Sequence, residues 1–194
     1  MKFYSHTTEF DAPWADVTCA IFNKYPNPFA AHVLQSDVLA RSVSPTTGVL
    51  TSVRMHVKAG AVPSWGKSLF KSPPVSCILE DSTVDVRARR MVTTTRNMDH
   101  RRFLFVQETQ VVEAHPTNPL ITRVVTTARI SSNLGWGLTG RLEMFGLSRF
   151  TDNVHKSRLG MLHVLGTLRE RVKHHHRHPS GDAAAIGVPG ATGF

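Results

Sequence analysis

Apolar and polar residues alternate with a period of two along most of this chain, and near Gly135-Trp136-Gly137 the period lengthens to that of a helix. Alternation sends successive side chains to opposite faces of a strand, so that one face can be buried while the other stays wet. Such runs lie at 2–10, 32–44, 49–58, 76–86, 89–97, 103–113 and 120–131. The second and third flank Ser44-Pro45-Thr46-Thr47-Gly48, a turn-forming stretch, and read as a hairpin. Charged or proline-containing turns divide the others. The pattern predicts an antiparallel sheet of about seven strands.

Helical spacing occurs twice. Trp14, Val17, Ala20 and Ile21 recur at intervals of three and four behind Asp11, a good N-cap, and Pro13, and Tyr25-Pro26-Asn27-Pro28 stops the run. Leu147, Phe150, Val154, Met161, Leu165, Leu168 and Val172 form the stripe of a long C-terminal helix that packs on the sheet. The fold class is therefore α+β, in one domain over residues 1–172. Residues 173–194, a histidine run followed by Ala, Gly and Pro, carry too little apolar pattern to pack and are expected to form a disordered tail. Between the hairpin and the next strand, Val62, Trp65, Leu69 and Phe70 lie beside Lys67 and Lys71 in a stretch bordered by Gly and Pro. It is too short for a core helix and reads as a mobile lid or interfacial segment.

Composition narrows the classes. With 194 residues and 41% hydrophobic content, the chain can bury roughly two-thirds of the surface its unfolded form exposes, without covalent staples. Two cysteines, Cys19 and Cys77, are too few for a disulfide framework or a four-ligand zinc site, and their apolar or small neighbours make them read as buried free thiols. No apolar run reaches the roughly 18 to 20 residues of a membrane-spanning helix, so a soluble protein is expected. The segment MKFYSHTTEF has neither the apolar core of a secretory signal nor the arginine-rich pattern of a transit peptide. A net charge of +9 and a pI of about 10.3 call for anionic partners: phospholipid head groups, nucleic acid or an acidic protein. The cations are dispersed and carry no helix-turn-helix, finger or aromatic RNA-binding signature, so no nucleic-acid partner is expected.

Candidate chemistry sits on two basic stripes. The C-terminal helix breaks its apolar stripe at Ser157 or Arg158, where something polar has to be accommodated. Beside the break, Arg149, Asn153, Lys156 and Gly160 share one helix face by their spacing. Facing a cavity between helix and sheet, that row binds a phosphate by charge-assisted hydrogen bonds; facing water, it is an ordinary solvated surface. Arg54, His56 and Lys58 share one face of the second hairpin strand, with the same two readings open. His174, His175, His176 and His178 are metal-binding types, yet neighbours in a tail have no preset geometry, so no metal site is expected. No nucleophile elbow, HExxH or phosphate-cradling glycine motif occurs. Asp99-His100 and Glu80-Asp81 read as turn and strand-edge residues, and neither enzymatic activity nor a cofactor is expected.

Asn23-Lys24-Tyr25-Pro26-Asn27-Pro28 followed by His32-Val33-Leu34 resembles the KYPNP…HV signature of the PRELI-like proteins. The similarity continues collinearly through Asp37-Val38-Leu39, Arg54, Pro63-x-Trp65, Leu79-Glu80-Asp81-Ser82, Arg96-Asn97-x-Asp99-His100 and Phe145-Gly146-Leu147-x-Arg149-Phe150. The resemblance implies a curved seven-stranded antiparallel sheet that wraps a long C-terminal helix around a lipid cavity closed by a lid. It implies a non-catalytic carrier that moves one anionic phospholipid across the mitochondrial intermembrane space and feeds cardiolipin synthesis. Positions matching the family's head-group site are Lys24, His32, Arg54, Lys58, Arg149, Asn153 and Lys156, while Ala61 stands where some relatives carry Lys. The lid residues Val62, Trp65, Lys67, Leu69 and Phe70 are expected to touch the membrane surface transiently. The 79–85 and 145–150 segments look closer to the phosphatidic-acid branch than to the phosphatidylserine branch. The resemblance also implies a small twin C-x9-C helical-hairpin partner. A lipid-binding scaffold that transfers nothing is the alternative from another class, and it predicts a filled core with Arg149, Asn153 and Lys156 in solvent.

Overall fold

Strand alternation is realised as one continuous sheet. The computed structural model describes residues 1–59, 75–133, 135 and 137–177. In chain order these form β1 (Lys2–Phe10), α1 (Trp14–Phe22), a 3-10 turn (Pro28–Ala30), β2 (Val33–Val43), β3 (Leu50–Ala59), β4 (Val75–Asp85), β5 (Arg90–Asn97), β6 (Phe105–Ala114), β7 (Thr122–Ser131) and α2 (Leu138–Arg177). The order across the sheet is β1-β7-β6-β5-β4-β3-β2, and every neighbouring pair is antiparallel. Strands β2 to β7 are a meander, and β1 closes the far edge against β7. The expected α+β class, with seven antiparallel strands and a long C-terminal helix, is the architecture found.

Burial follows the pleat. Along β7, Thr122, Val124, Thr126, Ala128 and Ile130 are buried and face α2, while Arg123, Val125, Thr127 and Arg129 point the other way. α2 packs against β7, β1, α1 and the 3-10 turn. The main core gathers Phe10, Trp14, Val17, Ile21, Met91, Val112, Met161 and Leu165 where α1 and the C-terminal half of α2 meet the sheet. A second, smaller cluster of Ala128, Ile130 and Phe150, flanked by Tyr4, Leu104, Val106, Leu147 and Val154, holds the other end of α2. There α2 approaches closely because residue 146 is glycine: a Cβ would lie 2.9 Å from Leu104 Cδ1 and 3.0 Å from Ile130 Cγ2. The helix thus spans between two anchored ends.

Three local expectations change. Pro13 rather than Asp11 occupies the N-cap of α1, with no side-chain capping bond. Proline's fixed φ sets the helix start, and the Asp11 carbonyl instead accepts from Arg169 Nη2 at 2.6 Å. Trp14 Nε1 donates to the Val112 carbonyl at 3.1 Å and pins α1 to the sheet from inside. Cys19 is exposed and Cys77 half-buried, because Cys19 falls on the outer face of α1 opposite Val17 and Ile21. α2 continues through Arg177, past the expected end at residue 172, and residues 178–194 lie outside those described. No helix among the described residues is long and apolar enough to cross a membrane.

Candidate functional site

Beside the smaller core cluster, whose Leu104, Val106, Phe150 and Val154 also face the gap, the inner face of the sheet and α2 stand apart. They leave a cavity of about 410 Å³, within the range of roughly 300 to 1,000 Å³ found for small-molecule sites. Its apolar wall is Ile78, Leu104, Val106, Phe145, Phe150 and Val154, and its basic wall carries Lys24, His32, Lys58, Arg149 and Lys156 with Asn153. Lys24, His32 and Lys58 are half-buried, whereas Arg149, Asn153 and Lys156 are exposed side chains that line the cavity and so stand at its rim. A site with apolar and cationic halves suits an amphiphile with an anionic head.

The charge is largely unneutralised. None of the ion pairs among the described residues involves Lys24, Lys58, Arg149 or Lys156. Lys24 Nζ instead donates to Ser157 Oγ at 2.6 Å, and both Lys24 and Lys58 stand over the Tyr25 ring, 5.5 and 5.9 Å from its centroid. Arg149 lies over the Phe145 ring at 5.6 Å. His32 registers this field: burial and then the charges of Lys58, Lys156 and Lys24 hold its pKa below the ordinary histidine value. An imidazole kept neutral beside several ammonium groups marks a place where an anion would be welcome. Glu108 is an acidic group on the lining, and it accepts from Gln110 Nε2 at 2.7 Å.

Arg54 has a different role from the one expected. It is 4% exposed and absent from the cavity lining. Its Nη2 and Nε reach Glu80 Oε1 at 2.6 and 2.9 Å, and its Nη1 and Nη2 donate to the carbonyls of Phe22 and Ile21 at 3.0 and 3.4 Å. Arg54 therefore ties the end of α1 to β4, with its charge matched by a carboxylate. Glu80 is not a strand-edge residue: antiparallel register sets it directly opposite Arg54, buried, with His56 Nε2 3.3 Å from its other oxygen. Burial alone would push its carboxyl up, but the hydrogen bond with His56 and the guanidinium of Arg54 outweigh this and hold it below the usual value.

The PRELI-like family model matches residues 15–171, which takes in most of both helices, every strand after β1 and all the cavity's cations. The chain belongs to the PRELI-like family. It is 36% identical over 170 residues to PRELI domain-containing protein 1, mitochondrial, of Gallus gallus, covering 87% of this chain and 78% of the relative. It is 32% identical over 169 residues to Protein UPS1, mitochondrial, of Saccharomyces cerevisiae, covering 86% and 94%. Among solved structures, TTHA0849 from Thermus thermophilus superposes with a TM-score of 0.58 at 16% identity, covering 86% of this chain and 99% of that one. The Zhui aromatase/cyclase of Streptomyces sp. R1128 gives 0.56 at 15%, covering 96% and 99%. At such identities these two share the fold alone.

In this PRELI-like chain, six of the seven expected head-group residues line one cavity, and Arg54 alone is elsewhere. The expected lid residues Val62, Trp65, Lys67, Leu69 and Phe70 lie outside the described residues, as does Ala61. Ser157, the break in the apolar stripe, holds Lys24. Gly160, the last member of the helix row, is where Asn27 nests: a Cβ there would meet Asn27 Oδ1 at 3.0 Å. Asn27 in turn donates to the Lys24 carbonyl at 2.6 Å and accepts from the Phe29 amide at 2.8 Å, so the turn that presents Lys24 and Tyr25 is seated on α2. The contacts of Tyr25 and Asn27 were hidden in the sequence because the local pattern of the YPNP string gives only a helix stop, and the family signature it also carries names no partner for either side chain. Tyr25 meets His56 and Lys58 only once β3 lies beside the turn, and Asn27 meets Gly160 only once α2 does.

Proposed function

We propose that this protein is a non-catalytic carrier of an anionic phospholipid, phosphatidic acid, between mitochondrial membranes across the intermembrane space, and that it supplies cardiolipin synthesis. The observation that carries the reading is the cavity in which Lys24, His32, Lys58, Arg149, Asn153 and Lys156 face an apolar wall. Relatives over most of the chain bear the word mitochondrial in their names, which supports the compartment. Each buried methylene of a lipid chain gains about 0.8 kcal/mol relative to water, so an apolar wall favours extraction. The cations supply affinity for the phosphate without a covalent step. The expected lid, Val62, Trp65, Lys67, Leu69 and Phe70, belongs to the same reading as the segment that touches the membrane surface. A small twin C-x9-C helical hairpin is proposed as the stabilising partner.

The test is transfer of fluorescent phospholipids between donor and acceptor liposomes, by the partnered protein and its Lys156→Glu variant. Transfer of phosphatidic acid in preference to phosphatidylserine, abolished by Lys156→Glu, is the expected result. A folded, partnered protein that moves no phospholipid would exclude the carrier reading and favour a binding scaffold.

A further inference from the structure

The turn between β5 and β6, residues 98–104, has an inner and an outer side. Inward, Leu104 lines the cavity together with Ala59, Ser76 and Asn97, so the cavity lies at the pole of the sheet where β3 and β5 end and β4 and β6 begin. Outward, Met98, Arg101 and Arg102 are exposed. The turn is pinned from three directions. Buried Asn97 donates to the carbonyls of Asp99 and Leu104 at 2.8 and 2.9 Å and accepts from the Val106 amide at 2.8 Å. The Asp99 carboxylate accepts from Ser76 Oγ and the Cys77 amide at 2.6 and 2.8 Å, which ties the turn to β4. The Arg102 carbonyl accepts from the Asn133 amide at 3.1 Å, which ties it to the stretch leading into α2.

The outer face of the sheet continues this surface. The register that sends Val106 inward beside buried Ile130 sends Phe105 outward. Its half-buried ring lies under two guanidinium groups, Arg101 at 4.8 Å and Arg129 at 5.6 Å, and a cation held over a ring within about 6 Å keeps its charge. Arg129 is paired in register with Phe3 of β1, which is 69% exposed. None of the ion pairs among the described residues involves Arg101, Arg102 or Arg129. Asp99 is engaged by β4, and Glu143 on the first turns of α2 is buried against the Met1 ammonium at 2.6 Å, so neither acid offsets them.

We infer that Met98, Arg101, Arg102, Arg129 and Phe3 form a docking surface for an anionic membrane, separate from the expected lid, which sets the orientation in which the cavity meets the bilayer. Three uncompensated arginines match the negative surface of such a membrane. The exposed Met98 and Phe3 beside them suit its interfacial zone, where apolar side chains and cations are accommodated together. Because the turn is already fixed, little ordering cost is added on contact. Exposed apolar groups at the pole that holds an apolar-walled cavity favour a bilayer over an acidic protein. The inference rests on the reading of that cavity as a lipid site.

The test compares two variants of the full chain that each remove two positive charges. Arg101→Gln with Arg102→Gln alters the surface. Arg87→Gln with Arg89→Asn alters the β4–β5 turn at the opposite pole, where both arginines are exposed and asparagine tolerates the positive φ of residue 89. Cosedimentation with phosphatidylcholine vesicles, with and without phosphatidylglycerol, reads membrane partitioning; calorimetric binding of short-chain, water-soluble phosphatidic acid reads the cavity. Each arginine near an anionic surface contributes about fivefold, so the first variant is expected to lose roughly 25-fold in partitioning to the anionic vesicles while binding the soluble lipid as wild type does. The second is expected to lose less than about threefold, its charges being screened by distance. Equal losses by the two variants, or wild-type partitioning by the first, would overturn the inference. So would a matching loss of soluble-lipid binding by the first variant, which would make the turn a wall of the cavity only. A wild-type chain that partitions equally to both kinds of vesicle would point to an acidic protein as the occupant and overturn it too. If liposome transfer fails while the two variants still differ in partitioning, the carrier reading falls and the docking surface stands.

Discussion

Arg54 and Lys58 lie on the same face of β3 and have opposite fates. Arg54 sits under the end of α1 against Glu80, with its donors directed at a carboxylate and two backbone carbonyls. Lys58, nearer the open end, faces the cavity with an aromatic ring as its partner and no carboxylate among the described residues. One cation holds the fold together; the other is available to a ligand. The lesson is that a basic stripe is not a site in itself. The acid opposite each cation decides which members bind and which brace.

The largest effect should come from breaking the brace. Glu80→Ala leaves Arg54 buried without its counter-charge, and removing one partner of such a pair costs about 3 to 5 kcal/mol. Urea unfolding should register that loss. Lys58→Met should change stability by only about 0.5 kcal/mol, yet weaken binding of short-chain phosphatidic acid by roughly tenfold or more. Equal destabilisation by the two substitutions would erase the distinction between brace and site.

A middle-sized effect tests the seat of the turn. Gly160→Ala forces a Cβ against Asn27, and overpacking of this kind costs about 1 to 3 kcal/mol. Lipid affinity should fall with it, because Asn27 holds the segment carrying Lys24 and Tyr25. Ser157→Ala, which frees Lys24 without crowding anything, sharpens the comparison: it should leave the urea midpoint nearly unchanged and alter lipid affinity.

The pH dependences are smaller and differ in window. The Glu80 pKa is lowered in the folded state, so its contribution is present above the ordinary carboxylate value of about 4.3 and is lost as pH falls through the lower folded value. His32 is also lowered, so the unfolded chain binds the proton more readily, and stability declines as pH falls below about 6.5. A bound anion opposes the lysines' effect on His32, so binding should take up a proton in that window. Melting temperature against pH, with and without inorganic phosphate and in His32→Gln, measures both. An unchanged profile in His32→Gln would remove His32 from the account.

The fold was legible because each strand's inner and outer positions are written locally, as in the buried Thr122, Val124, Thr126, Ala128 and Ile130 of β7. The site was legible in part. The row Arg149, Asn153 and Lys156 could be placed on one helix face by spacing, and the break at Ser157 was visible as a missing apolar residue. That the row reaches the cavity depends on how α2 is seated, which Gly146 at one end and Gly160 at the other permit by close approach. Nothing in the local pattern of the YPNP string separates a helix stop from a platform for two lysines.

By itself the sequence determined the alternation that makes the sheet, the amphipathic helix that covers it, the excess of positive charge and membership of the PRELI-like family. Only the tertiary structure decided which cations are neutralised. Glu80 lies 26 residues from Arg54 and Ser157 lies 133 residues from Lys24. Electrostatic partnership depends on distance in space and on exclusion of water, and neither is set by distance along the chain.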